Sequence, residues 1–256
     1  MSTQQNSEVI TVSNVFKSFQ VGKQQVPVLK DVSLTVNKGD FLVIFGPSGC
    51  GKSTLLHVLL GLEKPTKGEI IMDGHKLYTY NEDQIADFRK EHIGMVYQQP
   101  HWIKSLTVIE NIAFPLTLMQ VDEETRLKKA LELLKMVKME EWADYLPSEL
   151  SSGQQQRISL ARALISNPDF IIADEPTGNL DFESGVQLMK LLDDINDTTK
   201  KTILMVTHDL EYMKYAKTAV RMLDGQIVET IDDTKSKSFT DHIKSKRGEG
   251  THETSN

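Results

Sequence analysis

The run FLVIF at 41–45 is continuously apolar and of strand length, which suits a strand buried on both faces. DFIIADE (169–175) and KTILMVTHD (201–209) have the same character, each followed by a loop and then by apolar positions at helical spacing. IGMVYQ (93–98) reads as a further strand, and GEIIMDG as a strand closed by an Asp-Gly turn. A helix is expected from about Lys52 to a stop at Gly61. This alternation predicts an α/β architecture with a mainly parallel sheet. Two segments depart from it. EVITVSNVFKSF and VLKDVSLTVNKGD alternate apolar and polar residues, which predicts an antiparallel β layer at the front of the chain. Residues 99–165 offer no strand pattern; helical periodicity over 107–119 and 123–136 predicts a helical subdomain inserted between two core strands.

Composition narrows the function classes. The 256 residues are enough for a substantial core, and the net charge of -7 argues against a general nucleic-acid-binding surface. Cys50 is the one cysteine, so no intrachain disulfide can form and a reducing compartment is expected. The N-terminus MSTQQNSEVI lacks the basic and apolar regions of a signal peptide. The longest apolar runs fall far below the roughly 20 residues that span a bilayer, so any action at a membrane needs a separate anchor. Residues 1–8 are expected to fray, 9–231 to form the folded domain, and the charged segment 232–256 to be a disordered tail.

The chemistry starts at GPSGCGKST (46–54), which fits the P-loop pattern G-x-x-x-x-G-K-[ST] between a strand and a helix. Gly46, Gly49 and Gly51 let the backbone of the loop, with Pro47, Ser48 and Cys50, curl into a nest of N–H groups for phosphate. The helix N-terminus adds its dipole. Lys52 supplies a charge for the β- and γ-phosphates, Ser53 a hydroxyl for Mg²⁺, and Thr54 a hydroxyl near the α-phosphate. Ligands gather beyond the carboxyl ends of parallel strands. There Asp174 is placed to hold Mg²⁺ through water, Glu175 to polarise an attacking water, and His208 to reach the γ-phosphate. Gln98, also at a strand end, is a candidate for the metal or the water. The Cys50 thiol is expected against the phosphates and open to alkylation, the alternative being a thiol packed beneath the loop.

The P-loop, a strand-end glutamine, LSSGQQQR, ADEPTGNLD and VTHD occur in that order, and together they resemble the ATP-binding-cassette (ABC) ATPases over about residues 9–230. Leu150, Ser151, Ser152, Gly153 and Gln154 fall on the family signature L-S-G-G-Q, with Ser152 in place of a glycine. If that position needs a positive φ, serine there is strained. The resemblance implies ATP and Mg²⁺ as ligands and a head-to-tail homodimer in which each signature caps the other subunit's ATP. It implies that Phe19 stacks on adenine, with Phe16 the rival, and that Asp181 lies in a loop crossing the dimer interface. Gln98 would join the core to the helical insertion. DEPTGNLD with FRKEHIGMVYQ is similar to the ATPases of lipoprotein-releasing, macrolide-efflux, antimicrobial-peptide-resistance and cell-division complexes. That implies a separate integral membrane permease, a peripheral place on the cytoplasmic face of the membrane, and a groove near QPHWIKSLTV where Trp102 and Ile103 would contact it. Regulation of a membrane-bound division or cell-wall complex without transport is the alternative, and a soluble ATPase of translation or DNA repair a third.

Overall fold

A computed structural model of the chain describes residues 8–232. Two long strands open it, β1 (Glu8–Val21) and β2 (Gln24–Asn37), which pair antiparallel. They join β4 (Lys67–Met72) and β5 (His75–Lys76) in a four-stranded sheet of order β2-β1-β4-β5. The second sheet holds β3 (Phe41–Phe45), β6 (Ile93–Tyr97), β7 (Phe170–Asp174), β8 (Thr202–Thr207), β9 (Thr218–Leu223) and β10 (Gln226–Asp232), in the order β10-β9-β3-β8-β7-β6. Its neighbours are parallel except β10, which turns back on β9. The expected antiparallel layer and mainly parallel sheet are both present.

The apolar runs follow from where this sheet lies. Every residue of β3 is buried, and successive side chains enter different cores. Leu42 and Ile44 pack with the front sheet and α1 (Lys52–Leu59), whereas Phe41, Val43 and Phe45 pack on the other side with α6 (Phe182–Thr199). β7 and β8 divide their side chains in the same way.

Between β6 and β7 there are only helices: α3 (Val108–Leu118), α4 (Glu123–Met136) and α5 (Ser152–Leu164), with short 3₁₀ turns. A third core joins them, with Ile112 and Leu134 at its centre. α5 is a shared wall: Ile158 and Ala161 face this third core, while Leu160 and Leu164 face the core of the parallel sheet. The sequence reading missed α2 (Glu82–His92) and the β9–β10 hairpin, whose Asp224–Gly225 turn has φ of 47 and 79. Asp232, expected to begin the tail, ends β10; residues 1–7 and 233–256 lie outside the described residues. Among the described residues, no helix is long and apolar enough to cross a membrane.

Candidate functional site

Four neighbouring strands, β3, β8, β7 and β6, run parallel and in register: Phe45 pairs with Thr207, Val206 with Asp174, and Asp174 with Tyr97. Their carboxyl ends therefore lie within one residue of each other, β3 and β8 reaching one residue past β7 and β6. The next residues are Gly46 after β3, His208 after β8, Glu175 after β7 and Gln98 after β6, so adjacent strand spacings of about 4.8 Å set them in one row. Sequence positions more than a hundred residues apart meet because one sheet ends along one line.

The loop after β3 has left-handed or related backbone at each glycine singled out: φ is 156 at Gly46, 78 at Gly49 and 102 at Gly51. Gly46 is also fixed by space, since a Cβ there would sit 2.2 Å from the Met222 carbonyl oxygen. Pro47, Ser48 and Gly49 are exposed. α1 starts at Lys52 with no side chain capping its N-terminus. Lys52 is 5% exposed, and its ammonium donates to the carbonyls of Gly46 and Pro47, at 2.9 Å each. Ser53 is exposed and Thr54 half-buried. The other end of α1 is held by Tyr78, whose hydroxyl donates to the Val58 and Glu63 carbonyls, and by Arg89, which donates to those of Leu60 and Gly61. The expectation of an open Cys50 thiol is not met. Cys50 is 4% exposed and its side chain belongs to the core beneath the loop.

At the end of β7, one carboxylate oxygen of Asp174, Oδ1, is buried with no hydrogen-bond partner. Burial and the neighbouring Glu175 push this carboxyl above the usual range, with Lys52 and His57 pulling the other way. An unsatisfied buried carboxylate close to a lysine and a phosphate nest suits a cation or a cation-bound water. Among the described residues no three or more His, Cys, Asp and Glu gather to hold a metal.

Glu175 has φ 44, a costly conformation for a residue with a side chain, held by its N–H to the Val206 carbonyl at 2.9 Å and by its carbonyl, which accepts from Gly178. The twist brings its Oε2 to 3.1 Å from His208 Nδ1. Asp209 fixes that histidine's loop by donating its N–H to Thr207 Oγ1 and accepting from Glu211 N. Gln98 lies against Gly178, where a Cβ would be 2.6 Å from Gln98 Nε2, and its carbonyl accepts from Asn179. Neither Gly178 nor Asn179 was singled out from the sequence, although both lie within the motif ADEPTGNLD.

The polar knot LSSGQQQR builds the start of α5. Ser151 is the N-cap: its Oγ accepts from Gln154 N at 3.3 Å, and Gln154 Oε1 accepts from Ser151 N at 2.8 Å, a reciprocal capping box. Ser152 is the first helical residue and has no positive φ, so the serine is not strained. Gly153 is a glycine for want of space: a Cβ would lie 2.7 Å from Ser184 Oγ on the first turn of α6. Asp181 caps α6, accepting from Ser184 N and Oγ, bonds that hold its carboxyl below the usual range. Each glutamine of the knot has its own partner. Gln155 accepts from Trp102 Nε1 and donates to the Leu150 carbonyl, and Gln156 donates to the Tyr97 carbonyl, next to Gln98. Trp102 is engaged internally, with the Arg162 guanidinium 4.4 Å above its ring. Ile103 is half-buried. Phe19 and Phe16 are both half-buried near the end of β1. β1 pairs with β2 at Lys17 and Leu29, and Leu29 packs on Gly51 of the loop, which brings this end of β1 beside the phosphate nest.

Comparison with known proteins identifies the family. A family model described as ABC transporter matches residues 29–178. An uncharacterized ABC transporter ATP-binding protein of Methanocaldococcus jannaschii, MJ1508, is 44% identical over 88% of this chain and 100% of its own length. The macrolide export ATP-binding/permease protein MacB of a Shewanella species is 39% identical over 92% of this chain, which spans only 36% of that larger protein. Among solved structures, the dimeric post-hydrolysis state of the cassette MJ0796 bound to ADP and Pi superposes with a TM-score of 0.81 at 38% identity, covering 87% of this chain and 98% of the other. CbiO1 of Clostridium perfringens, part of the complex CbiONQ, gives 0.82 at 26% identity, covering 93% and 94%. The chain thus belongs to the ABC transporter ATP-binding family and is an ATP-hydrolysing cassette.

Proposed function

We propose that this ATPase works as a homodimer closed head to tail around two ATP and drives a separate integral membrane subunit from the cytoplasmic face. The reading rests most on the contrast between two helix N-termini: that of α1 is uncapped and open to phosphate, whereas that of α5 is capped by its own residues and exposed. The first can hold a nucleotide alone; the second can only complete a site already filled. The relatives support it: MJ0796 is dimeric with ADP and Pi, CbiO1 is part of a transporter complex, and MacB joins ATP-binding to permease. Residues 9–231 form the ATPase unit and about 99–165 its helical subdomain.

The residues take the following roles. The N–H groups of 46–54 and the Lys52 ammonium hold the β- and γ-phosphates, Lys52 exchanging its two loop carbonyls for phosphate oxygens. Adenine stacks on Phe19. Ser53, Gln98 and, through water, Asp174 would hold Mg²⁺, which neutralises charge on the phosphate oxygens. Glu175 orients the attacking water and accepts its proton, and His208, whose Nδ1 lies 3.1 Å from Glu175 Oε2, donates toward the γ-phosphate. In the partner's site the Ser151 hydroxyl proton, the Gly153 N–H and the α5 dipole meet the γ-phosphate, with Ser152 and Gln154 shaping the cap. Asp181 and the start of α6 lie beside that cap. Loss of the γ-phosphate removes these contacts and lets the dimer open.

The test is light scattering on the purified chain with ADP, with MgATP, and with a non-hydrolysable ATP analogue. A dimer only with the triphosphates supports the reading, and a monomer in all three states sinks it. Co-purification of an integral membrane protein tests the membrane half.

A further inference from the structure

Lys17 is buried, with 11% of its side chain exposed, an uncommon state for a lysine. Three groups converge on its ammonium. Glu63 Oε2 lies at 2.7 Å, the Lys64 carbonyl oxygen at 2.8 Å, and the centre of the Phe19 ring at 4.7 Å. Glu63 belongs to the turn that ends α1, where its own N–H donates to the His57 carbonyl. The neighbouring backbone is fastened to the same turn: Ser18 N donates to Thr66 Oγ1, and Thr66 N to the Phe16 carbonyl. Lys17 and Phe19 are two residues apart on β1 and share a side of the strand.

We infer that Lys17 is a positioning residue for the base of the nucleotide, holding one face of the Phe19 ring by a cation–π contact so that the other face stays set for adenine. This rests on the proposed stacking of adenine on Phe19. The ring alone could rotate about χ1 and χ2; an ammonium fixed by a carboxylate and a carbonyl is a rigid counter-surface. Because the anchor lies at the end of α1, whose N-terminus carries the phosphate nest, the clamp also sets the distance between base and phosphates. Lys17 then acts on affinity for the whole nucleotide, and not on affinity for phosphate or on the rate of hydrolysis.

The experiment compares ATP with inorganic tripolyphosphate, which has the phosphates and no base, by calorimetric titration. Lys17→Met keeps the apolar stem and removes the charge. It should weaken ATP about threefold to tenfold, the range of a partly desolvated cation–π contact. Tripolyphosphate affinity and kcat at saturating ATP should stay within about twofold, and Lys17→Arg should restore ATP binding. In a Phe19→Ala background Lys17→Met should add nothing. Equal weakening of both ligands would mean that Lys17 acts through α1, and unchanged ATP affinity that it only fastens β1; either overturns the inference. If Phe19→Ala itself leaves ATP affinity intact, the stacking reading fails instead. Should Lys17→Met not fold, Glu63→Ala frees the ammonium without opening the core and should shift the same pair of titrations in the same direction.

Discussion

Two helices of this molecule, α1 and α5, finish their N-termini in opposite ways. α1 follows GPSGCG and has no side-chain cap; Gly51 before it is at φ 102, and the helix donors face the nest. α5 follows ELS and is closed by a capping box, with Ser151 and Gln154 bonded both ways. A helix leaves its first N–H groups without intrahelical partners, so something must satisfy them. At α1 no side chain does so, which leaves that N-terminus open to the phosphate proposed above. At α5 the capping box satisfies those of Ser151 and Gln154, leaving the Ser152 and Gly153 N–H groups, the serine proton and the dipole for the proposed partner. On the proposed reading the first N-terminus is a holder and the second a cap.

The strongest way to break this pairing is at the chemistry both helices serve. Glu175→Gln keeps the size and a hydrogen bond to His208 but loses the proton acceptor. The kcat should fall by about 10² to 10⁴ with ATP affinity nearly intact, and the variant should collect as an ATP-bound dimer on size exclusion. A monomer under saturating ATP with normal turnover would remove Glu175 from its role.

Ser151→Arg attacks the cap alone. Hydrolysis should be lost while the same chain still binds ATP at α1. Mixed with Lys52→Ala, it should give heterodimers with at most one intact site. If ATP binding by the isolated chain disappears instead, the division between holder and cap is wrong.

A gentler pair of measurements reads how each N-terminus is satisfied. Ser151→Ala removes a helix cap and should cost about 1 kcal/mol of stability. Without nucleotide the melting temperature should fall by about 2–4 °C per kcal/mol. No side-chain deletion does the same at α1, but ATP at a hundred times its Kd should stabilise the chain by about 2.7 kcal/mol. A Ser151→Ala chain that melts like the parent would show the box to be idle.

Asp174 sharpens the contrast from the metal side. Its carboxyl is held above the usual range, mainly by desolvation. The folded chain therefore binds this proton more tightly than the unfolded chain. The stability involved is fully present below the ordinary carboxylate range and is lost as pH rises through the raised value. Asp174→Asn should accordingly melt higher than the parent at neutral pH, lose that advantage in acid, and fail to hydrolyse ATP. A lower melting temperature at neutral pH would contradict an unpaired carboxylate at this place.

Much of this was legible because it was local. A buried strand, a helix and GxxxxGK[ST] are adjacent in the chain, so the phosphate nest could be read from spacing, and the ends of DFIIADE and KTILMVTHD pointed to Glu175 and His208. What stayed hidden depends on contacts across the fold. Nothing in QQQ says that Gln155 holds Trp102 while Gln156 holds the end of β6, because both partners lie more than fifty residues away. The resemblance marked Ser152 as a departure without telling whether its φ was helical. Gly153 required a neighbour, Ser184, that only the packing of α5 on α6 supplies. The β9–β10 hairpin has a local signal in its Asp-Gly turn, but β10 lies at the sheet edge with no buried residue, so it lacks the apolar run that marks the other strands of that sheet.

Cys50 gives the smallest expected effect and the finest test of how the holder is built. The sequence reading set its thiol beside the phosphates; the fold turns it inward, with its Sγ 2.9 Å from where a Gly46 Cβ would sit and Lys52 Nζ at 3.9 Å. Its backbone can still line the nest while its side chain fills the floor. Maleimide should therefore label the native chain slowly, at the rate at which the loop opens, and the denatured chain at once. Bound MgATP should slow the native reaction further by closing that opening. Cys50→Ser should bind ATP like the parent, since phosphate is met by backbone N–H groups, and should lose some stability by setting a hydroxyl among apolar neighbours. Rapid labelling of the native chain by mass spectrometry, equal with and without nucleotide, would place the thiol outside the core and undo the account of the loop as a backbone cradle resting on a packed floor.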